Sequence, residues 1–223
     1  MRQFAQRHPI LWAYLYFCYF STTVQVLIYA SGMSGSNGLR DSLLMSTLWL
    51  IPLLIWPKYS KVLAAIIGMV LWLTSLSSLG YWLIYGQEFS QSAIFIIFES
   101  NPTEGAEFIE SYLQWWHLLV FAAYSIIPVV IWRLMSYQRP FTKRGKANGL
   151  ATKWRYGYAT VFFLIVSWPF FSTLIKQHDV TAARYHLMAR LEPTAPWNLI
   201  VGYEKYLDQL DNMNALLTEN HQL

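Results

Sequence analysis

The chain has 223 residues, 55% of them hydrophobic and only 13% charged, where soluble globular domains carry about 25% charge, so composition points to a membrane protein. A pI of 9.1 and a net charge of +4 would suit a nucleic-acid binder, but the placement of the charges described below excludes that class. The single cysteine, Cys18, lies inside an apolar run, which excludes an intrachain disulfide and suits a buried filler.

Four runs have the length of about 20 apolar residues that a membrane-spanning helix needs: 9–30, 62–85, 113–132 and 156–175. A fifth, 42–56, is short and is bounded by Arg40, Asp41 and Lys58; it spans if local thinning or snorkelling supplies the missing length. Pro52, Pro128 and Pro169 fall inside these runs, where neighbouring helices tolerate a kink. The first run follows Arg2 and Arg7 as a signal peptide would, but its length and the lack of an A-x-A site mark it as a retained anchor. The sequence therefore predicts an all-α membrane protein with five transmembrane helices.

With the N-terminus inside, residues 1–8, 57–61 and 133–155 face the cytoplasm and hold eleven of the 16 Lys and Arg with no acidic residue. The other side holds Arg40, Lys176, Arg184, Arg190 and Lys205 together with all 12 Asp and Glu, so +11 and −7 make up the net +4. Lys and Arg bias sets orientation, and here it has one answer. The basic pI is a topology signal, with anionic head groups as its natural contact.

Between spans one and two, SGMSGSNGLRDS is glycine-rich and ends in Arg40 and Asp41. Its backbone N–H groups offer a phosphate cradle, and a plain turn is the alternative; Arg40 and Asp41 set the depth of a short helix at the interface. Residues 86–112, on the outer side, pack five glutamates around Ile and Phe. Gln87, Glu88 and Ser90 read as a solvated helix end, and Glu88 joins Arg40 and Asp41 as a candidate contact of the periplasmic face. Residues 90–98 read as an interfacial helix. Asn101, Pro102 and Glu104 then carry the signature of a new helix start: a capping residue, proline at the first helical position, and an acid three residues after the cap. Glu104 has two readings, a capping acceptor or, with Ser100, a ligand for the ammonium and phosphate of a zwitterionic head group. After span five, residues 176–223 are periplasmic: a short helix near 181–191 suited to the membrane surface, a break at Pro193 and Pro196, and a helix from Trp197 whose Tyr203, Tyr206, Leu210, Met213 and Leu217 form a stripe that must pack on something. His8, His117, His178, His186 and His221 lack metal-ligand spacing.

Three stretches, FSTTVQVLIYASGMSGSNGLRDSLLMSTLWLIP, IYGQEFSQSAIFIIFESNPTEGAEFI and RLEPTAPWNLIVGYEKY, closely resemble the membrane domain of bacterial phosphoethanolamine transferases, nearest the branch that decorates the lipopolysaccharide core. The resemblance runs from about residue 9 to 217. It implies an inner-membrane protein whose large periplasmic sulfatase-like domain carries a threonine nucleophile and zinc. Members move phosphoethanolamine from phosphatidylethanolamine to lipid A or a core sugar. In lipid A-modifying relatives an Asn, a Thr and a Glu at four-residue steps help hold the head group. Ser100 and Glu104 occupy the last two positions here, Ile96, whose side chain makes no hydrogen bond, occupies the first, and Asn101 is the candidate to compensate for it.

The nucleophile and zinc ligands belong to a domain expected after residue 223, so this chain by itself is expected to be an anchor and lipid-presenting domain, without a catalytic residue or cofactor of its own. Its expected partners are membrane lipids, phosphatidylethanolamine among them, and the sulfatase-like domain, with no nucleic acid. The alternative is a standalone membrane module that binds or regulates a separate periplasmic protein. A transporter would show intramembrane charges and internal repeats, and the sequence has neither.

Overall fold

The computed structural model describes residues 9–33, 35–89, 93–94, 100–137 and 152–220. Among them the secondary structure is helical: α1 (Pro9–Ala30), α2 (Asn37–Met45), α3 (Leu50–Ile55), α4 (Ser60–Tyr85), α5 (Pro102–Tyr112), α6 (Trp115–Tyr137), α7 (Thr152–Gln177), α8 (Val180–Leu191) and α9 (Trp197–Asn220). A 3₁₀ turn at Ser46–Trp49 joins α2 to α3. Five helical stretches are long and apolar enough to cross a membrane: Pro9–Ala30, Asn37–Ile55, Pro57–Tyr85, Trp115–Leu134 and Lys153–Gln177.

The second span starts five residues earlier than the hydropathy predicts, at Asn37 rather than 42, so its 19 residues reach across without thinning. The start was hidden by Asn37, Gly38, Arg40 and Asp41, and of these Asp41 is turned inward and buried. Ser42, Ser46 and Thr47, inside the predicted run, are also buried and donate to carbonyls of the preceding turn at Leu39, Ser42 and Leu44.

Helix α1 is the centre of the bundle: Ala13, Phe17, Phe20, Val24 and Ile28 are all buried. It packs in parallel on α4, and both pack on α6. Tyr19 donates to the Tyr124 carbonyl at 2.7 Å. The Tyr124 hydroxyl sits 2.8 Å from Ser75 Oγ and 3.1 Å from the Phe20 carbonyl, joining all three helices. Outward faces stay apolar, with Ile66, Met69, Leu119 and Trp168 each more than half exposed, as lipid rather than water requires.

Residues 31–33, the first of the SGMSGSNG stretch, form a turn. The N–H groups of Ser31, Gly32 and Met33 close the end of α1 on Leu27, Tyr29 and Ile28, and Gly32 takes the positive φ that this closure needs (φ 73°). Those donors are therefore not arrayed for a phosphate. The interfacial helix predicted over 90–98 falls largely outside the described residues, as does Ile96.

Candidate functional site

The spans bring the described residues among 31–36, 86–114 and 178–198 to one end of the bundle, together with Arg40 and Asp41 in the first turns of α2. Asn101 and Glu104 form a reciprocal cap at the start of α5. The Glu104 N–H donates to Asn101 Oδ1 at 2.9 Å, and Asn101 donates to the Glu104 carboxylate through Nδ2 at 2.9 Å and through its backbone at 3.4 Å. Both side chains are exposed and Ser100 is half-buried beside them. The arrangement satisfies the orphan N–H groups of the helix start, and it occupies both Glu104 oxygens with a single neighbour. The capping reading of Glu104 is thus realised in geometry, and any head-group contact has to share that carboxylate.

Arg40 and Asp41 meet a third residue that the sequence did not single out with them. Asp41 is 5% exposed, and its Oδ1 accepts from Arg190 Nη1 at 2.6 Å and from Arg40 Nε at 3.2 Å. Arg190 reaches it because α8 does not lie on the surface. The chain reverses at His178, which adopts a left-handed φ of 52°, and Asp179 caps α8 through Thr181 N at 2.8 Å. Helix α8 then runs back along α7 until Leu191 packs with Val166 and Met45.

Residues 192–198 continue inside the bundle. The Ala195 N–H donates to Ser21 Oγ at 2.9 Å, and Asn198 Nδ2 donates to Ser78 Oγ at 2.6 Å. Ser21 lies nine residues before the end of α1, about 13 Å along the helix axis, so this non-helical segment enters well below the helix ends. Irregular backbone is tolerated at such depth only where protein satisfies it. Here Thr194 and Ala195 are buried, the Thr194 N–H donates to the Leu191 carbonyl, and Pro193 and Pro196 have no N–H to satisfy. Gln25, 4% exposed, donates through Nε2 to the Pro193 carbonyl at 3.3 Å and to Glu88 at 2.9 Å. Glu88, expected to be a solvated helix end, is instead a partner of this buried amide.

The candidates therefore divide. Arg40, Asp41 and Arg190 form one cluster, Gln25, Glu88 and residues 192–198 a second, and Ser100, Asn101 and Glu104 stand together at the exposed start of α5. The signal that was available for the first two was an excess of polar residues where apolar runs approach this end of the bundle: Gln25, Arg40, Asp41 and Glu88. Of the predicted stripe on α9, Tyr203 and Tyr206 stack on one another with centroids 6.1 Å apart, Tyr203 and Met213 are exposed, and the Leu217 side chain lies outside the described residues; nearer the helix start Val201 is buried and Trp197 stacks on Trp49 with centroids 6.3 Å apart. Among the described residues no three His, Cys, Asp or Glu side chains converge as metal ligands.

The chain is 42% identical over 214 residues to the phosphoethanolamine transferase EptC of Escherichia coli K12 and 43% identical over 214 residues to the phosphoethanolamine transferase CptA of Salmonella typhimurium. Each match covers 95% of this chain and 35% of the relative, so the chain spans about a third of the length of these relatives. No family model matches, and no solved structure matches.

Proposed function

We propose that this chain, which matches phosphoethanolamine transferases along nearly its whole length, is the membrane domain of such an enzyme. It anchors a catalytic domain at the outer face of the bacterial inner membrane, with its C-terminus in the periplasm, and brings the donor phosphatidylethanolamine within reach. The single observation that carries this reading is the 42% identity over 95% of the chain. The five apolar spans and the exposed apolar face of α9 support it, since that face suits a further domain as its cover.

Transfer to a core sugar or to lipid A, the threonine nucleophile, the zinc and the sulfatase-like domain all belong to the remaining two-thirds of the relatives' length in this reading. The described residues offer no set of ligands for zinc, and no chemical step is assigned to them. Their part is to hold the bundle and position lipid: Ser100 and Asn101, with Glu104, at the outer surface as a head-group contact, and Arg40, Asp41 and Glu88 within the folded outer end.

The test is a chimera in which this chain replaces the matching part of the E. coli relative, with lipopolysaccharide phosphoethanolamine read by mass spectrometry. Modification is expected to return. A chimera that inserts stably and leaves lipopolysaccharide unmodified would overturn the reading. In the active chimera, Glu104→Gln keeps the Asn101 cap and an acceptor for the Asn101 N–H while removing the negative charge, and is expected to lower transfer several-fold; unchanged transfer leaves the capping role alone.

Orientation has its own measurement. In a Cys18→Ala background, a cysteine at exposed Glu107 is expected to react in intact spheroplasts with a maleimide that cannot cross membranes, and one at exposed Lys58 only after lysis. The opposite pattern would invert the topology.

A further inference from the structure

The outer end carries five basic residues, and they are not spread evenly. Arg184 is paired with Glu204, and Lys205 with Glu192. Arg40 and Arg190 share one oxygen of one carboxylate, Asp41. Lys176 has no ion-pair or hydrogen-bond partner among the described residues, and neither has His186. Asp179, three residues after Lys176, caps α8 and keeps its charge. Three cations, Arg40, Arg190 and Lys176, against the two carboxylates Asp41 and Asp179 leave the cluster net positive, on a face of the protein that is otherwise acidic.

These charges border a groove of ≈ 500 Å³ between α2, α7 and α8, into which Lys176, His186 and Arg190 all project. Its α7 wall runs from Lys176 down to Ile165, about 16 Å at the helical rise. The upper part of that wall is polar, with Thr173 and Ser172, and the lower part is apolar, with Trp168 and Ile165. Leu44 of α2 faces it from the other side. Trp168 is 67% exposed and Leu44 40% exposed, so the groove is open laterally, toward where lipid lies around a spanning helix. Lys176 and His186 are exposed at the head of the groove, and Arg190 lies deeper beside Asp41; basic pockets between membrane helices characteristically hold lipid head groups.

We infer that this groove is a binding site for a glycerophospholipid, with its phosphodiester held by Lys176, His186 and Arg190 and an acyl chain lying along Leu44, Trp168 and Ile165. Arg190 is pre-aimed by its bond to Asp41 and keeps further guanidinium donors for a phosphate oxygen. The site deepens the lipid-presenting role proposed above, but the phosphodiester and acyl contacts do not depend on transferase activity, and binding is measured on this chain without any catalytic domain.

The experiment is native mass spectrometry of the purified chain in detergent, titrated separately with dioleoyl phosphatidylethanolamine, dioleoyl phosphatidylglycerol and dioleoylglycerol. Both phospholipids are expected to bind at least about tenfold more tightly than dioleoylglycerol, which lacks the phosphate. The Lys176→Glu/His186→Glu double variant is expected to lose about tenfold in affinity for both, with an unchanged thermal midpoint, because neither side chain holds the fold together. Preference for phosphatidylethanolamine supports the site as a station of the donor lipid, and preference for phosphatidylglycerol supports it as a seat for an anionic structural lipid. Equal binding of dioleoylglycerol, or a folded double variant that binds both phospholipids as wild type does, overturns the inference. Failure here with an active chimera leaves the transferase reading standing; success here with an inactive chimera leaves only the lipid site.

Discussion

Replacing Arg190 by alanine is expected to lower the stability of the bundle by about 2–4 kcal/mol, toward the lower end of the range for breaking a buried ion pair because Arg40 still reaches the same oxygen. Asp41 has a side chain only 7% exposed, and its shorter bond, 2.6 Å, is the one to Arg190. With Arg190 gone, a carboxylate stays in a nearly closed site with one half-exposed partner at 3.2 Å. Removing the carboxylate as well should relieve the damage, so Asp41→Ala/Arg190→Ala is expected to be no less stable than Arg190→Ala alone. Unfolding of the detergent-solubilised chain, followed by tryptophan fluorescence through a double-mutant cycle, reads this directly. Additive losses would mean that the two residues do not hold one another and that α8 is fixed against α2 by the Leu191 contacts.

That ion pair shows where the sequence stopped being informative. Five spans were legible because a 20-residue apolar run has few other uses, and the Asn101–Glu104 cap was legible because its partners are three residues apart. Asp41 and Arg190 are separated by 149 positions and Ser21 and Ala195 by 174, and no local pattern connects such pairs. The same blindness misplaced α8. Its mixed face of Leu187, Met188 and Leu191 between Arg184 and Arg190 fits a membrane surface as well as a helix folded back on α7, and only the Asp41 counter-charge and the buried Met45 and Val166 decide between them. The second span was read short for a related reason: hydropathy scores Arg40 and Asp41 as a polar boundary, whereas in the fold the Asp41 carboxylate is buried and met by Arg190 and Arg40.

The second large effect is expected at Gly68, where α1 and α4 approach most closely. In a bilayer, burial of apolar surface gives helices little reason to associate, because lipid is as apolar as leucine; close packing and interhelical hydrogen bonds do the work instead, and small residues permit them. A Cβ on Gly68 would overlap the hydroxyl and ring of Tyr16. That ring is 5% exposed and packs edge-on against Phe17 and Phe20, with centroids at 5.2 and 5.5 Å, contacts that it would have to give up to make room. Gly68→Val is therefore expected to cost about 1–3 kcal/mol, the range for overpacking a closed interior, and to separate the helices at this level. On a Tyr16→Leu background the same substitution should be close to neutral, since the ring that blocks the added methyl groups has gone. The midpoint of denaturation in mixed micelles, compared across the four variants, distinguishes the cases. An equal loss on both backgrounds would trace the effect to the helix α4 itself, whose intrinsic preference for valine over glycine runs the other way, and would remove the close approach of α1 and α4 as the reason glycine stands there.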